Sequence, residues 1–122
     1  MTKLIFHILN LIFLIFYIYP GSILGFLFYR SFEKQPQITS DFVVSSNHVY
    51  AFILLSFLGF INYYKNHKKL IICYFFSISI ILELLHIIIP NRSFQFSDLF
   101  GNIIGVIFSI LIFYIWKKDE FF

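Results

Sequence analysis

The chain has little charge. Asp, Glu, Lys and Arg together make up 12% of its 122 residues, where a soluble domain carries about 25%. A soluble fold this short exposes too much surface to hide the remaining apolar side chains from water, so a water-soluble globule is excluded. Cysteine occurs once, as Cys73, which rules out a disulfide framework and a cysteine-based metal centre; within its apolar run it reads as a small core residue. A basic stripe is also missing. The nine Lys and Arg residues are scattered through short polar segments, so the net charge of +3 offers no track for a phosphate backbone. No internal repeat, low-complexity tract, G-x-S-x-G, H-E-x-x-H or phosphate-cradling glycine loop is present.

What the chain does have is apolar length. Hydrophobic residues make up 60% of it and the mean hydropathy is +0.88. Four apolar stretches stand out, roughly Leu4–Tyr19, Val49–Tyr64, Leu70–Ile89 and Leu99–Trp116. A spanning helix needs about 20 residues, so the expected fold is an all-α membrane protein: one domain over residues 1–122 with four transmembrane helices in a bundle. The spans are expected at about 4–20, 47–64, 69–89 and 98–116. Two readings fit the segment after the first span. Either one long helix is kinked at Pro20, or the helix ends at Pro20-Gly21 and Ser22–Phe32 is a short interfacial or re-entrant piece; the breaker pair favours the second. No A-x-A-like site follows the first apolar run, which argues against a cleaved signal peptide.

Orientation follows from the basic residues. With four spans, Lys3, Lys65, Lys68, Lys69, Lys117 and Lys118 share one side, against Arg30, Lys34 and Arg92 on the other. This places both termini in the cytoplasm, with Trp116 anchoring the last helix at the interface. The long polar connection Glu33–Ser46 and the "PNRSFQFSD" loop then face outward.

Charge does occur inside one apolar segment. Glu83 and His86 lie one helical turn apart near the expected outer end of the third span, with helix expected to continue to Pro90. An acid within a bilayer is costly and faces the bundle interior or a wet cavity. Asp98 is placed where a carboxylate accepts from free backbone N–H groups at the start of the fourth helix. Asn102, Gly105 and Ser109 continue its stripe, and Gly101 with Gly105 forms a G-x-x-x-G that permits close helix packing. His48, at the entry to the second span, belongs to the same outward side as Glu83, His86, Arg92, Asp98 and Asn102. Asn10, Ser56, Ser77 and Ser79 read as helix-packing polar groups, and His7 and His67 as solvated residues near the cytoplasmic ends.

The pattern E-x-x-H-x-x-x-P-x-R-S-x-x-x-x-D-x-x-x-N-x-x-G, from Glu83 to Gly105, resembles the signature of VanZ-like membrane proteins. His48, followed by Ala51-Phe52 and Gly59, is similar to the histidine that opens the family's second helix. The resemblance covers about Ser46 to the C-terminus. His86 stands where the family usually has Gln, and Val44-Ser45 where an Asp-Lys pair is common. The resemblance implies a small multi-pass protein of the bacterial cytoplasmic (inner) membrane and cell envelope. The family's namesake is associated with resistance to the glycopeptide teicoplanin.

Three roles are open for the cluster of His48, Glu83, His86, Arg92, Asp98 and Asn102. The first is an outward pocket for an envelope lipid head group, cell-wall precursor or glycopeptide-like ligand, with Arg92 pairing to phosphate or carboxylate. The second is a structural lock in which Arg92 clamps the carboxylates across the third and fourth helices. The third is a membrane enzyme acting on a lipid-linked ester or phosphoester, with Glu83 as base and His48 or His86 as acid; without a recognisable catalytic motif, the balance leans away from an enzyme. A metal site built from His48, Glu83, His86 and Asp98 is chemically available, but no metal and no cofactor is assigned. Transport is disfavoured, because no polar residues continue the cluster inward. The expected partners are the lipid bilayer and an envelope lipid or precursor, not nucleic acid, with a homo-oligomer left open.

Overall fold

The computed structural model describes residues 1–41 and 43–118. Phe42 and residues 119–122, the end of the domain expected over 1–122, lie outside the described residues. The described chain is all-helical: α1 (Thr2–Ile18), α2 (Ile23–Tyr29), α3 (Ser46–Leu85) and α4 (Phe96–Trp116). By itself α4 is long and apolar enough to cross a membrane, and α1 with α2 passes the same test only as a pair bent by 87°.

The second and third expected spans form one 40-residue helical run, α3, with a break at His67 (φ −137°, ψ 41°). The break is a reversal of direction. Phe60 and Phe75 would be about 22 Å apart along a straight helix, yet their ring centroids are 5.7 Å apart. The run is therefore a helical hairpin whose arms, 46–66 and 68–85, lie against each other. Val49, Phe52, Ser56, Gly59 and Phe60 of the first arm are buried, as are Ile71, Phe75, Ser79 and Leu82 of the second. Their three- and four-residue spacing makes one inward stripe on each arm.

α4 supplies the third stripe, from Gly101 and Asn102 through Gly105, Val106 and Ser109 to Phe113. Its G-x-x-x-G lies on the first arm of α3. A Cβ at Gly105 would stand 2.7 Å from the Val49 carbonyl oxygen, and one at Gly101 would stand 2.9 Å from that of Ser45. Only a bare backbone allows this approach. α1 lies outside the three stripes, and Phe6 is its one buried residue among those described. Large apolar side chains such as Leu11, Leu27, Leu70 and Ile115 point outward and are more than half exposed, a surface suited to lipid rather than water.

Several local expectations change. The third helix ends at Leu85 instead of reaching Ile89, because His86, Ile87 and Ile88 bond back three residues, to Glu83, Leu84 and Leu85. This tighter winding is common at helix ends, and the residue preceding Pro90 resists α conformation. Glu83 is thus in the last turn of α3. Cys73 is exposed, because Ile71 and Phe75 claim the inward stripe and Cys73 falls between them. His7 is exposed, as expected, and its Nε2 also lies 2.6 Å from the Tyr63 hydroxyl. His67 marks the hairpin break.

After α1 the chain turns sharply at Pro20-Gly21. Gly21 has φ +130°, a conformation L side chains rarely adopt. Ser22 then caps α2, its Oγ accepting from the Gly25 N–H at 2.9 Å. The segment after Pro20 is therefore a separate short helix and not a continuation of α1.

Candidate functional site

The break at Pro20 leaves backbone carbonyls of α1 without their usual partners. The Phe16 carbonyl would normally accept from residue 20, but proline has no N–H. Arg92 serves it instead, with Nη2 donating to Phe16 O at 3.0 Å and to Gly21 O at 2.6 Å. Its Nε donates to Tyr19 O at 3.1 Å. A cation at a helix C-terminus also meets the negative end of the helix dipole. Burial lowers Arg92 from its ordinary value, but a guanidinium remains charged. Among the described residues, no ion pair joins Arg92 to Glu83 or Asp98. The expected clamp across the third and fourth helices is therefore not formed; Nε and Nη2 of Arg92 are directed to the Phe16, Tyr19 and Gly21 carbonyls instead.

His86 does similar work one residue on. Its Nε2 lies 2.9 Å from the Tyr17 carbonyl oxygen, and its ring stacks on Tyr17 with centroids 4.9 Å apart. Its Nδ1 is 3.4 Å from Glu83 Oε2. Arg92 and His86 together fasten the broken end of α1 to the second arm of α3 and the loop that follows it.

Tyr17 is the centre of the cluster. Its hydroxyl lies 2.5 Å from His48 Nδ1, 2.9 Å from Asn102 Oδ1 and 3.2 Å from Glu83 Oε2. One side chain on α1 thereby joins both arms of α3 and α4. The sequence reading missed it, because a tyrosine in the run "LIFYIYP" resembles an interfacial aromatic. The available signal was a hydroxyl in the last turn of a helix otherwise lacking polar groups there.

Glu83 is fully buried. Its Oε1 accepts from the Gln95 backbone N–H at 3.1 Å, which binds the start of α4 to the end of α3. Asn102, also fully buried, donates from Nδ2 to the Ser79 carbonyl at 3.0 Å and sets Oδ1 2.8 Å from His48 Nδ1. Asp98 was expected to accept from backbone at the start of α4. Instead Gln95 is the N-cap with no side-chain cap bond, and Asp98 Oδ1 faces His48 Nε2 at 3.7 Å. Gly101, Gly105 and Ser109 are at the helix contact, with Ser109 fully buried.

Beside this network lies a cavity of about 470 Å³ between α1, α2, the first arm of α3 and the loop before it. Phe13, Phe16, Leu24, Phe28, Ala51 and Leu54 line its apolar wall. His48, His86, Arg92 and Asn47 bring polar groups to it, and Pro36 and Ile38 bring the loop over it. Several hydrogen bonds tie that loop to the start of α3. Asn47 Nδ2 donates to Pro36 O, Ser46 Oγ donates to Thr39 O, and Asp41 Oδ1 accepts from the Ser46 backbone N–H at 3.0 Å. The last bond holds the Asp41 carboxyl below its usual range.

An all-helical fold with a bare-glycine seam, and a polar network joining Glu83, Asp98 and Asn102 with His48, defines a class already suggested by the residue pattern. The VanZ/LLP1 family model matches residues 3–117, and the chain belongs to this family. No curated protein and no solved structure matches it.

Proposed function

We propose that the chain is a multi-pass protein of the bacterial cytoplasmic membrane and cell envelope, whose outward pocket binds an amphiphilic envelope molecule by its polar head and part of its hydrocarbon. The crossing segments are α1, the two arms of α3, and α4, with both termini cytoplasmic and α2 as a re-entrant or interfacial piece. Its outer surface of Leu, Ile and Phe supports a lipid surrounding, and the distribution of Lys and Arg supports the orientation.

The cavity of about 470 Å³ carries this reading. Its walls are mostly apolar and its polar groups gather around His48, His86 and Arg92, which is the arrangement of a small-molecule site. An envelope lipid or lipid-linked cell-wall precursor has the matching shape: an anionic head and a hydrocarbon tail.

The test is thermal unfolding of detergent-purified protein with a polyprenyl phosphate, phosphatidylglycerol or a lipid-linked cell-wall precursor. At least one should stabilise the protein in a saturable way. Ala51→Trp, which fills the cavity, should remove that stabilisation while the protein still folds. Stabilisation that persists in Ala51→Trp, or no stabilisation by any probe, overturns the reading.

The structural lock has its own support at Arg92 and His86, whose bonds to α1 carbonyls fasten helices, with His86 also 3.4 Å from Glu83. These two residues are read as fasteners that also shape the pocket.

A further inference from the structure

Three potential metal-ligating side chains come together from three parts of the chain. One ligand atom from each of His48, Glu83 and Asp98 lies within 4.8 Å of the other two. His48 opens α3, Glu83 is in its last turn and Asp98 is in the first turn of α4. We propose that these residues bind a divalent transition-metal ion such as Zn²⁺ or Mn²⁺.

The tautomer of His48 is the first argument. The Ser79 carbonyl can only accept, so the Asn102 amide must direct its nitrogen there and its oxygen toward His48. In this arrangement the His48 Nδ1, 2.8 Å from that oxygen, carries a proton, and the Tyr17 hydroxyl 2.5 Å away can accept from it while donating to Glu83 or Asn102. In a neutral ring this leaves a lone pair on Nε2, and Nε2 faces Asp98 Oδ1 across 3.7 Å. That gap is too long for a hydrogen bond. It suits two ligands of one ion, because bonds of about 2.1 Å at tetrahedral angles separate ligand atoms by about 3.4 Å. A metal-bound histidine ordinarily donates its other N–H to a carbonyl or carboxylate, and Asn102 supplies that oxygen.

Charge is the second argument. Glu83 is fully buried and Asp98 is 18% exposed. The nearby guanidinium is held by the carbonyls of Phe16, Tyr19 and Gly21 instead of pairing with either acid. A dication would balance both carboxylates where solvation is poor. One imidazole with two carboxylates suits Zn²⁺ and Mn²⁺ better than Ca²⁺ or Mg²⁺. The site adjoins the cavity through His48 but does not depend on any ligand entering it.

The experiment uses full-length protein carrying a purification tag without histidine, held in detergent, stripped with a chelator and titrated with Zn²⁺ or Mn²⁺. Elemental analysis should find about one saturable equivalent per chain, and the metal should raise the unfolding temperature. Asp98→Asn, an isosteric change at a partly exposed position, and His48→Gln should each weaken binding by at least the 10–100-fold lost when an outer-shell partner is removed. His7→Gln, outside the cluster, should bind like wild type. Should the site variants fail to fold, the visible spectrum of Co²⁺-loaded wild type decides: a mixed nitrogen–oxygen ligand field supports the site, and the spectrum of aqueous Co²⁺ overturns it. The absence of saturable binding by wild type, or binding by Asp98→Asn and His48→Gln as tight as that of wild type, also overturns it.

Discussion

The two ends of the helical core are held by different means. At one end Tyr17, His48, Glu83 and Asn102 form a hydrogen-bonded network with two fully buried polar side chains. At the other, Phe6, Phe60, Phe75 and Phe113 pack ring to ring around the hairpin break, with Phe6–Phe75 at 6.2 Å and Phe60–Phe113 at 6.0 Å. The aromatic end answers to volume, since dispersion between close-packed rings is nondirectional in composition. The polar end answers to pairing, since a buried donor or acceptor left alone carries its full desolvation cost.

The largest effect expected is at the aromatic end. Phe75→Ala should destabilise the detergent-solubilised protein by about 3–5 kcal/mol in denaturant unfolding, whereas Phe75→Leu should recover most of that. Equal losses would show that ring packing around Phe75 is not a matter of volume. At the polar end, Glu83→Leu preserves bulk but leaves the Gln95 N–H without its acceptor and takes one of the Tyr17 hydroxyl's three partners away. Its expected cost is about 3 kcal/mol, against about 1 kcal/mol for Glu83→Gln, which keeps an accepting oxygen. A smaller loss in Glu83→Leu than in Glu83→Gln would break the distinction between the two ends.

The seam shared by both ends comes next. Gly105→Ala places a methyl 2.7 Å from the Val49 carbonyl oxygen, and backbone has little room to move. A loss of about 1–3 kcal/mol is expected from such overpacking. Tyr17→Phe should lose about 1.5 kcal/mol, and a double-mutant cycle with Glu83→Gln should show coupling above about 0.5 kcal/mol. Additive losses would mean the hydroxyl does not join the helices energetically.

The smallest effect is in the loop. The Ser46 N–H holds the Asp41 carboxyl below its unfolded value, and Asp41 is exposed. Its contribution is therefore complete above the unfolded carboxylate value of about 3.9 and disappears as pH falls through the lower folded value. Asp41→Asn should shift the unfolding temperature slightly at neutral pH and flatten the acid limb of a pH series. An acid limb identical to wild type would place the sensitivity elsewhere.

The residue pattern from Glu83 to Gly105 was legible because its polar groups stand out against apolar neighbours. His48, Glu83, Asp98 and Asn102 do converge in the fold. The role of Arg92 was not legible. Its partners are the backbone carbonyls of Phe16, Tyr19 and Gly21, more than 70 positions away, and nothing local to Arg92 announces them. Tyr17 was overlooked for the same reason: its partners are 31 to 85 positions distant.

Composition and periodicity alone determined the helical class and the apolar character of its helices, because both depend on the mean character of stretches of about 20 residues. The short pattern determined the family. Only the tertiary structure decided that the run from Ser46 to Leu85 folds back at His67, that Cys73 faces outward, and that Arg92 holds α1 instead of the carboxylates. The physical reason is that these outcomes depend on which helix faces meet. Two carboxylates, one guanidinium and two imidazoles admit several satisfactory pairings, and only the packed helices choose among them.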